Sequence, residues 1–561
     1  VNPSRRLPGR RHALAALLGS CALLASVALL ASCNGRLERF PLTLAGGGSI
    51  ALRESPAARP DREGMLAPAT GGRATPLYTM RRPLAVSATG QAFAVSYTGS
   101  LADARLALLG DGRTVLAEVS LPAPPVGGTF RFLVPLRQGD LLRGFQVSTP
   151  STEGSFELLG AGIEPLVRGF SVRGSEIVLD GSVTEVSLSP GRMLARLSRP
   201  ARDAMAAGPW RITLGADPAA GSPFAGGSIT LESASGARAR FSVEQGSALA
   251  AISFHAGALG FVPRLVRAEG MRAGSLTLAF TPEADPIPAD PGLVLAWDRT
   301  AWRRPDFEVF SWESAPRVLI VDTADYRVQD RLFKRLAFFV EKAGFAGTIP
   351  AWGEIDGLHG YNAHDYRAED LARFFDTAAS TRVELGAEER TLARILLERG
   401  VIRETGSGYA PGEGAILSIS RSSSPILREL LLTHECFHGL YFTMPGFRAA
   451  SADAWKALSP VEQETWKRFL ASKDYNTVDP DLVVNEFQAY LFQQHRAGVP
   501  GFQALTLSRL AARSAADAAL VARFRAGFPD SMLASFDRLD PALRAAGGPP
   551  GGRAIAVKKL P

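Results

Sequence analysis

His434-Glu435-Cys436-Phe437-His438 brings two imidazoles and a carboxylate within five residues. On an α-helix, residues four apart share a face, so His434 and His438 can both turn a ring nitrogen towards one zinc ion. Glu435, beside the first histidine, sits where it can take a proton from a water that the metal activates. A third ligand is available 48 residues beyond His438, where Glu486 lies inside Leu482-Val483-Val484-Asn485-Glu486-Phe487-Gln488-Ala489-Tyr490-Leu491-Phe492. A glutamate buried in so apolar a stretch is costly without a partner, and metal coordination removes that cost. Glu462 and Glu464 stand among Gln463, Lys467 and Arg468 and read as solvent-facing. Two histidines and one glutamate leave zinc a fourth position for water, the arrangement expected of a catalytic site.

Two helices must present these residues, and both carry start signals. Ser424-Pro425 reads as an N-cap serine with proline at the first helical position, where a missing N–H costs nothing. The apolar run Ile426, Leu427, Leu430, Leu431, Leu432 and Phe437 predicts a buried helix reaching about Thr443. Just upstream, Gly414 to Ser420 alternates as a short strand does. Asp479-Pro480 repeats the cap-and-proline start, and Asp481 adds negative charge to the first turn, where the helix dipole favours it.

At this point the chain resembles the gluzincin class of zinc metallopeptidases, whose HExxH helix is followed by a helix that donates a glutamate, often as Asn-Glu-x-x-Ala. The matching residues are His434, Glu435 and His438, then Asn485, Glu486 and Ala489, within residues 414–497. The longer metzincin pattern would need glycine and histidine where Tyr441 and Met444 stand. The resemblance implies Zn2+ as cofactor, a peptide or protein substrate, Glu435 as general base, and an α+β zincin-like catalytic domain. It also implies a tyrosine or histidine that steadies the oxyanion, for which Tyr441, Tyr475, Tyr490 and His495 are candidates. Tyr490 lies one turn after Glu486. Asn485 reads equally as an orienting neighbour or a helix-surface amide. Cys436, two residues from His434, faces elsewhere on the helix and reads as core filler.

The N-terminus points to the cell envelope. Arg5, Arg6, Arg10 and Arg11 precede an apolar run from Ala13 to Ala31, which ends in Leu30-Ala31-Ser32-Cys33. This resembles the lipobox of bacterial lipoproteins, with Ser32 where glycine or alanine is commoner and Cys33 as the lipidated residue. Residues 1–32 are then an export signal and a lipid on Cys33 anchors the protein to a membrane. An uncleaved spanning anchor is the alternative, since the run approaches the length of a membrane helix. The net charge of +7 shrinks to 7 − 4 = +3 without those four arginines, and no basic patch interleaved with aromatics follows, so nucleic acid is not an expected partner. Of Cys21, Cys33 and Cys436, only the last would remain free in the mature chain, which leaves no intrachain disulfide.

At 561 residues the chain requires more than one core. Residues 33–75, rich in Gly, Ala, Pro and Arg, read as a tether with one early strand at Phe40–Leu44. Residues 76–312 read as short strands between Gly, Pro, Ser and Asp turns, hence a β-rich, sandwich-like part. From residue 313 the texture changes to a buried strand at Arg317–Val321 and recurring amphipathic helices, hence an α-rich domain to residue 546. Residues 547–561 read as a disordered tail. The segment Leu358 to Tyr366, with His359 and His364, reads as a cleft-lining loop, a surface turn, or a helix start capped by Asp365. A peptide substrate is expected to pair with a strand edge near Ile416–Ser420. The reading is thus a multidomain, exported, lipid-anchored zinc metallopeptidase. Its alternative is an envelope binding lipoprotein with a non-catalytic zinc domain.

Overall fold

A computed structural model describes residues 42–44 and 76–561, apart from short segments between residues 87 and 283 and residues 343 and 407. The export signal, Cys33 and most of the tether lie outside the described residues. Within the tether, Leu42–Leu44 forms a strand antiparallel to Pro76–Ala85. Among the described residues no helix is long and apolar enough to cross a membrane.

The chain divides into two compact units, Val1–Glu185 and Val186–Pro561. The first is a β-sandwich. One sheet runs in the order Leu42–Leu44, Pro76–Ala85, Leu141–Ser148, Arg105–Leu109, Val115–Ser120. The facing strands include Gln91–Gly99 between Thr129–Pro135 and Phe156–Pro165. Alternation turns Phe93 and Phe145 inwards from opposite sheets, and their rings meet at 5.1 Å.

The second unit joins more strands to the helical part. Trp210–Ala216 pairs with Ala251–His255 and Leu276–Pro282. A second sheet orders Arg192–Leu197, Pro263–Met271, Phe224–Ser233, Arg238–Val243 and Val557–Lys559. Phe241 and Phe254 connect the two sheets, ring to ring, at 4.9 Å. The β-rich N-terminal part and α-rich C-terminal part read in the sequence are both present.

Two of the expected boundaries are corrected. The segment 547–561 is ordered where disorder was expected: Val557–Lys559 closes the sheet beside Arg238–Val243, and Ala554 to Val557 are buried. Asp290 holds it by accepting from the backbone N–H groups of Ala556 and Val557 at 3.2 and 3.1 Å. The glycines and prolines before it dominate the local composition, whereas long-range pairing supplies the order. The expected change of domain at residue 312 falls inside a sheet. Ile287–Ala289 and Phe307–Trp312 pair into the same layer as Ala315–Thr323.

That layer positions the site. Its order is Ile287–Ala289, Phe307–Trp312, Ala315–Thr323, Ala415–Ser420, His364–Arg367. Ala315–Thr323 and Ala415–Ser420 run parallel, and His364–Arg367 runs antiparallel to the latter at the end of the sheet. Every residue of Ala415–Ser420 is buried, as expected of a strand with neighbours on both sides. It therefore offers no free edge near Ile416–Ser420; the end strand is His364–Arg367. Helices Tyr326–Val340, Ala368–Thr381 and Ala387–Glu398 pack Leu332, Leu336, Leu371, Phe375 and Leu396 into one core with these strands. Helices Pro445–Lys456, Val499–Ala511 and Ser531–Ala545, not anticipated in the sequence, complete the α-rich part.

Candidate metal centre

The motif helix spans Pro425–Thr443, with Ser424 as N-cap accepting from the Leu427 N–H. Its first turns expose Ile426 (84%) and Leu430 (44%) while burying Arg428, and continuous burial begins only near Leu432. From there the helix lies tightly on the sheet. A Cβ placed on Gly439 would stand 2.8 Å from Val318 Cγ1, closer than any side chain tolerates, so glycine sets the depth of the helix. At the other end Arg428 forms a buried bidentate pair with Asp322, Nη1–Oδ1 2.8 Å and Nη2–Oδ2 3.0 Å. Those two contacts fix where His434 and His438 point.

The second helix spans Pro480–Phe492, capped by Asp479 on the N–H groups of Asp481 and Leu482. Asp481 ties it to the rest of the site. Its carboxylate accepts from Tyr441 Oη at 2.9 Å, from Arg448 at 2.8 and 2.9 Å, and from Arg367 Nη1 at 2.7 Å. The histidine helix, the helix that follows it and the end strand are thus joined to the helix that carries Glu486.

The result is one buried group. His434 Nε2 and His438 Nε2 lie 3.0 Å apart, and Glu486 offers Oε2 to His434 at 3.4 Å and Oε1 to His438 at 3.6 Å. Donors held about 2.0–2.2 Å from one tetrahedral ion stand about 3.3–3.6 Å from one another. The carboxylate spacings match this, and the nitrogen pair needs to part by roughly 0.3 Å. Glu486 Oε2 is buried with no hydrogen-bond partner, an arrangement that a cation would satisfy. Burial holds His434 down to about 3 and His438 down to about 4, so both rings are neutral and able to ligate. The described residues thus contain a buried His/Glu group that can hold a metal ion.

Around it acidic groups crowd together. Burial, then repulsion from Glu486, pushes the Glu435 carboxyl well above its usual range. Burial and then Glu435 do the same to Asp365. Burial and the nearby Glu486 raise Glu341 to about 8. Four carboxyls converge on two neutral imidazoles, and a divalent cation is the economical means of stabilising them.

Tyr475 and Tyr490, both named in the sequence as oxyanion candidates, are at the site. Tyr475 hydrogen-bonds the Glu486 carboxylate and Tyr490, and the Tyr490 ring packs on His434 at 4.6 Å. Asn485 is buried and accepts from Gln488 Nε2 at 3.1 Å, so it is not a helix-surface amide. Tyr441 is engaged with Asp481, and His495 is exposed at the start of a short turn, so neither joins the group. Cys436 is fully buried as core filler.

A cleft of about 710 Å3 opens over the group, with His359, Tyr361, His364 and Asp365 on one side and Tyr475 and Phe502 on another. The segment from Leu358 to Tyr366 is therefore cleft-lining, and His364 to Arg367 is strand rather than helix start. His364 itself is buried, bonded to Tyr366 Oη at 3.0 Å and stacked on Phe333. Glu341 and Asp365 were missed as site residues. Glu341 follows a helix end, and Asp365 sits in a four-residue strand too short to show alternation; only the sheet brings either to the histidines. A larger groove, about 1030 Å3, runs between Arg240 and Lys559 over the face of the sheet that the C-terminal strand closes.

No family model and no curated protein matches the chain. Among solved structures, a glycosyl hydrolase family 2 member from Bacteroides cellulosilyticus aligns at 10% identity over 35% of this chain and 24% of that one, with a TM-score of 0.13. The chain thus spans about a quarter of that protein's length. The N-terminal CBM22-1–CBM22-2 tandem domain of Paenibacillus barcinonensis Xyn10C aligns at 11% identity over 44% of this chain and 96% of that one, also with a TM-score of 0.13. Likenesses this slight carry no argument about function.

Proposed function

We propose that the protein is a zinc metallopeptidase of gluzincin type, exported and held at a membrane by a lipid on Cys33. The observation that carries the catalytic part is the convergence of His434, His438 and Glu486 into one buried group, with Glu435 beside it at the floor of an open cleft. The envelope location rests on the N-terminal pattern of residues 1–33 alone. The end strand beside the cleft and the motif helix packed on the sheet support a zincin-like arrangement.

In this reading His434, His438 and Glu486 hold Zn2+, which supplies Lewis-acid activation of a water and polarisation of the scissile carbonyl. A cation bound here would favour the ionised form of Glu435 against the burial that raises it, and Glu435 would then accept the proton from the attacking water and later return it to the leaving amine. Tyr475 and Tyr490 fix the Glu486 carboxylate and the His434 ring, and both line the cleft in which the oxyanion would form. An extended peptide lies along His364–Arg367 by strand addition, the end strand replacing the interior one expected from the sequence. Asn485 and Asp481 keep the two helices in register for this chemistry.

The test compares metal content and peptide hydrolysis in wild type and Glu435→Gln. The expected result is one zinc per chain in both and hydrolysis in wild type only. Hydrolysis that survives the substitution removes Glu435 from the mechanism. Zinc without hydrolysis in wild type, across a broad peptide library, favours the binding lipoprotein with a non-catalytic zinc domain.

A further inference from the structure

The helix Val499–Ala511 supplies none of the ligand group, yet it forms a wall of the cleft above it. Phe502, Leu505, Thr506 and Arg509 line the cleft from this helix, and Arg513 lines it just beyond the helix end. Their spacing of three, four, seven and eleven residues marks one helix face, so a single stripe meets the substrate space. The stripe is graded. At its start Phe502 stacks on Tyr490 at 6.4 Å, and Tyr490 packs on His434 at 4.6 Å. Leu505 follows with an exposed side chain, and the exposed Leu430 of the motif helix shares the cleft with it. Arg509 and Arg513 come last.

Charge is segregated in the same sense. The acids that line the cleft, Glu341, Asp365, Glu435 and Glu486, belong to the ligand group and its surroundings. Its lysine and arginines are Lys473, Arg509 and Arg513. Among the described residues none of these three forms an ion pair. Arg513 instead donates to the backbone carbonyl of Ser472 at 3.5 Å, which draws it beside Lys473. Arginines on a helix usually face only water. These end an apolar stripe that begins beside His434.

We infer that Arg509 and Arg513, with Lys473, form a carboxylate subsite, which selects peptides carrying an acidic group a few residues from an apolar side chain held by Phe502, Leu505 and Leu430. This rests on the peptidase reading of the cleft. Arg509 follows Phe502 by seven residues, about 10 Å along a helix axis. An extended peptide covers that span in about three residues. A guanidinium fork pairs with both oxygens of a carboxylate, which a neutral amide of the same shape cannot match. A side-chain carboxylate and the free end of a peptide offer the same chemistry.

The experiment uses the full chain, loaded with zinc, and fluorescent peptides with one phenylalanine in an alanine–serine background. The first peptide carries glutamate at the inferred spacing on either side and the second carries glutamine there, both with blocked ends. The third is the glutamine peptide shortened to end in a free carboxylate at that spacing after the phenylalanine. Affinity is read on Glu435→Gln, and kcat/KM on the chain with Glu435 intact. Each is measured with and without the double change Arg509→Glu, Arg513→Glu. The glutamate or the free-ended peptide is expected to exceed the glutamine peptide by about 3–10-fold in both readouts, the worth of one or two partly exposed ion pairs. The double change should erase or invert that ratio, with zinc content and thermal midpoint unchanged. Arg509→Gln alone, a milder change, should reduce it without inversion. Preference for the glutamate peptide assigns the subsite to a side chain; preference for the free-ended peptide alone assigns it to a chain end. If the three peptides are treated alike, or the charge-reversed protein keeps the ratio, these cations are only a solvated helix end. The inference is then overturned while the peptidase reading stands. If no peptide is cleaved, the peptidase reading fails and the ratio of affinities alone decides the inference. If none binds either, both fall.

Discussion

The hydroxyl of Tyr441 donates to Asp481 Oδ1 at 2.9 Å, joining the helix that carries both histidines to the helix that carries Glu486. Arg448 and Arg367 bring two further elements to the same carboxylate. Glu486 is therefore held against the histidines by a network one turn and more from the metal group. Tyr441→Phe should cost about 1 kcal/mol in urea unfolding, a typical single hydrogen bond. Asp481→Ala should cost more, because it leaves two arginines without their shared partner, and should weaken zinc binding. Equal unfolding midpoints for wild type and Asp481→Ala would contradict this account of how the helices are held.

The seat of the motif helix makes a second prediction. Because a Cβ at Gly439 would stand 2.8 Å from Val318 Cγ1, Gly439→Ala should destabilise the protein by about 1–3 kcal/mol, the usual cost of overpacking. The double variant Gly439→Ala, Val318→Ala should recover part of that loss. Denaturant unfolding of the single and double variants measures both.

Arg428 and Asp322 form a third test. Asp322 is fully buried and receives Arg428 through two hydrogen bonds and Arg421 through one. Breaking a buried pair from one side typically costs about 3–5 kcal/mol. Since Arg421 remains, Arg428→Ala is expected near the lower end, with urea unfolding as the readout. Substituting Arg421 as well should bring the full loss.

Glu313 predicts a pH dependence of stability away from the metal group. Burial, opposed by hydrogen bonds from Ser253, raises its carboxyl from the ordinary 4.5 to about 7. Folded Glu313 thus keeps its proton at pH values where the unfolded chain has released it. Its contribution is complete below about 4.5 and is lost as pH rises towards 7. Glu313→Gln, which keeps an acceptor and gains a donor for the Ser253 hydroxyl, should flatten the stability curve across that interval. Unfolding free energies measured from pH 4 to pH 8 would show the change of slope; parallel curves would contradict it.

Local chemistry explains which parts could be read in advance. Ser424-Pro425 and Asp479-Pro480 start helices by capping and by proline's fixed φ, effects confined to a few neighbouring residues, and both helices begin there. The i, i+4 spacing of His434 and His438 is likewise local. Glu486 was reachable because a buried glutamate in an apolar run demands an explanation. Asp365 and Glu341 were not, since sheet order and helix packing bring them to the site and neither leaves a short-range trace. The same holds for Val557–Lys559, whose strand depends on a partner more than 300 residues earlier, Ser242 facing Lys558. Ile416–Ser420 was recognised as a strand, but a strand's place within its sheet follows from its neighbours, and these put it inside.

The central claim is that His434, His438 and Glu486 bind one zinc ion. Diffraction from crystals of zinc-loaded protein, recorded on either side of the zinc absorption edge, tests it most directly. The account predicts a single strong anomalous peak about 2.0–2.2 Å from His434 Nε2, His438 Nε2 and a Glu486 oxygen, lost in the His434→Ala, His438→Ala double variant. A zinc-saturated crystal with no peak between these three side chains would contradict it.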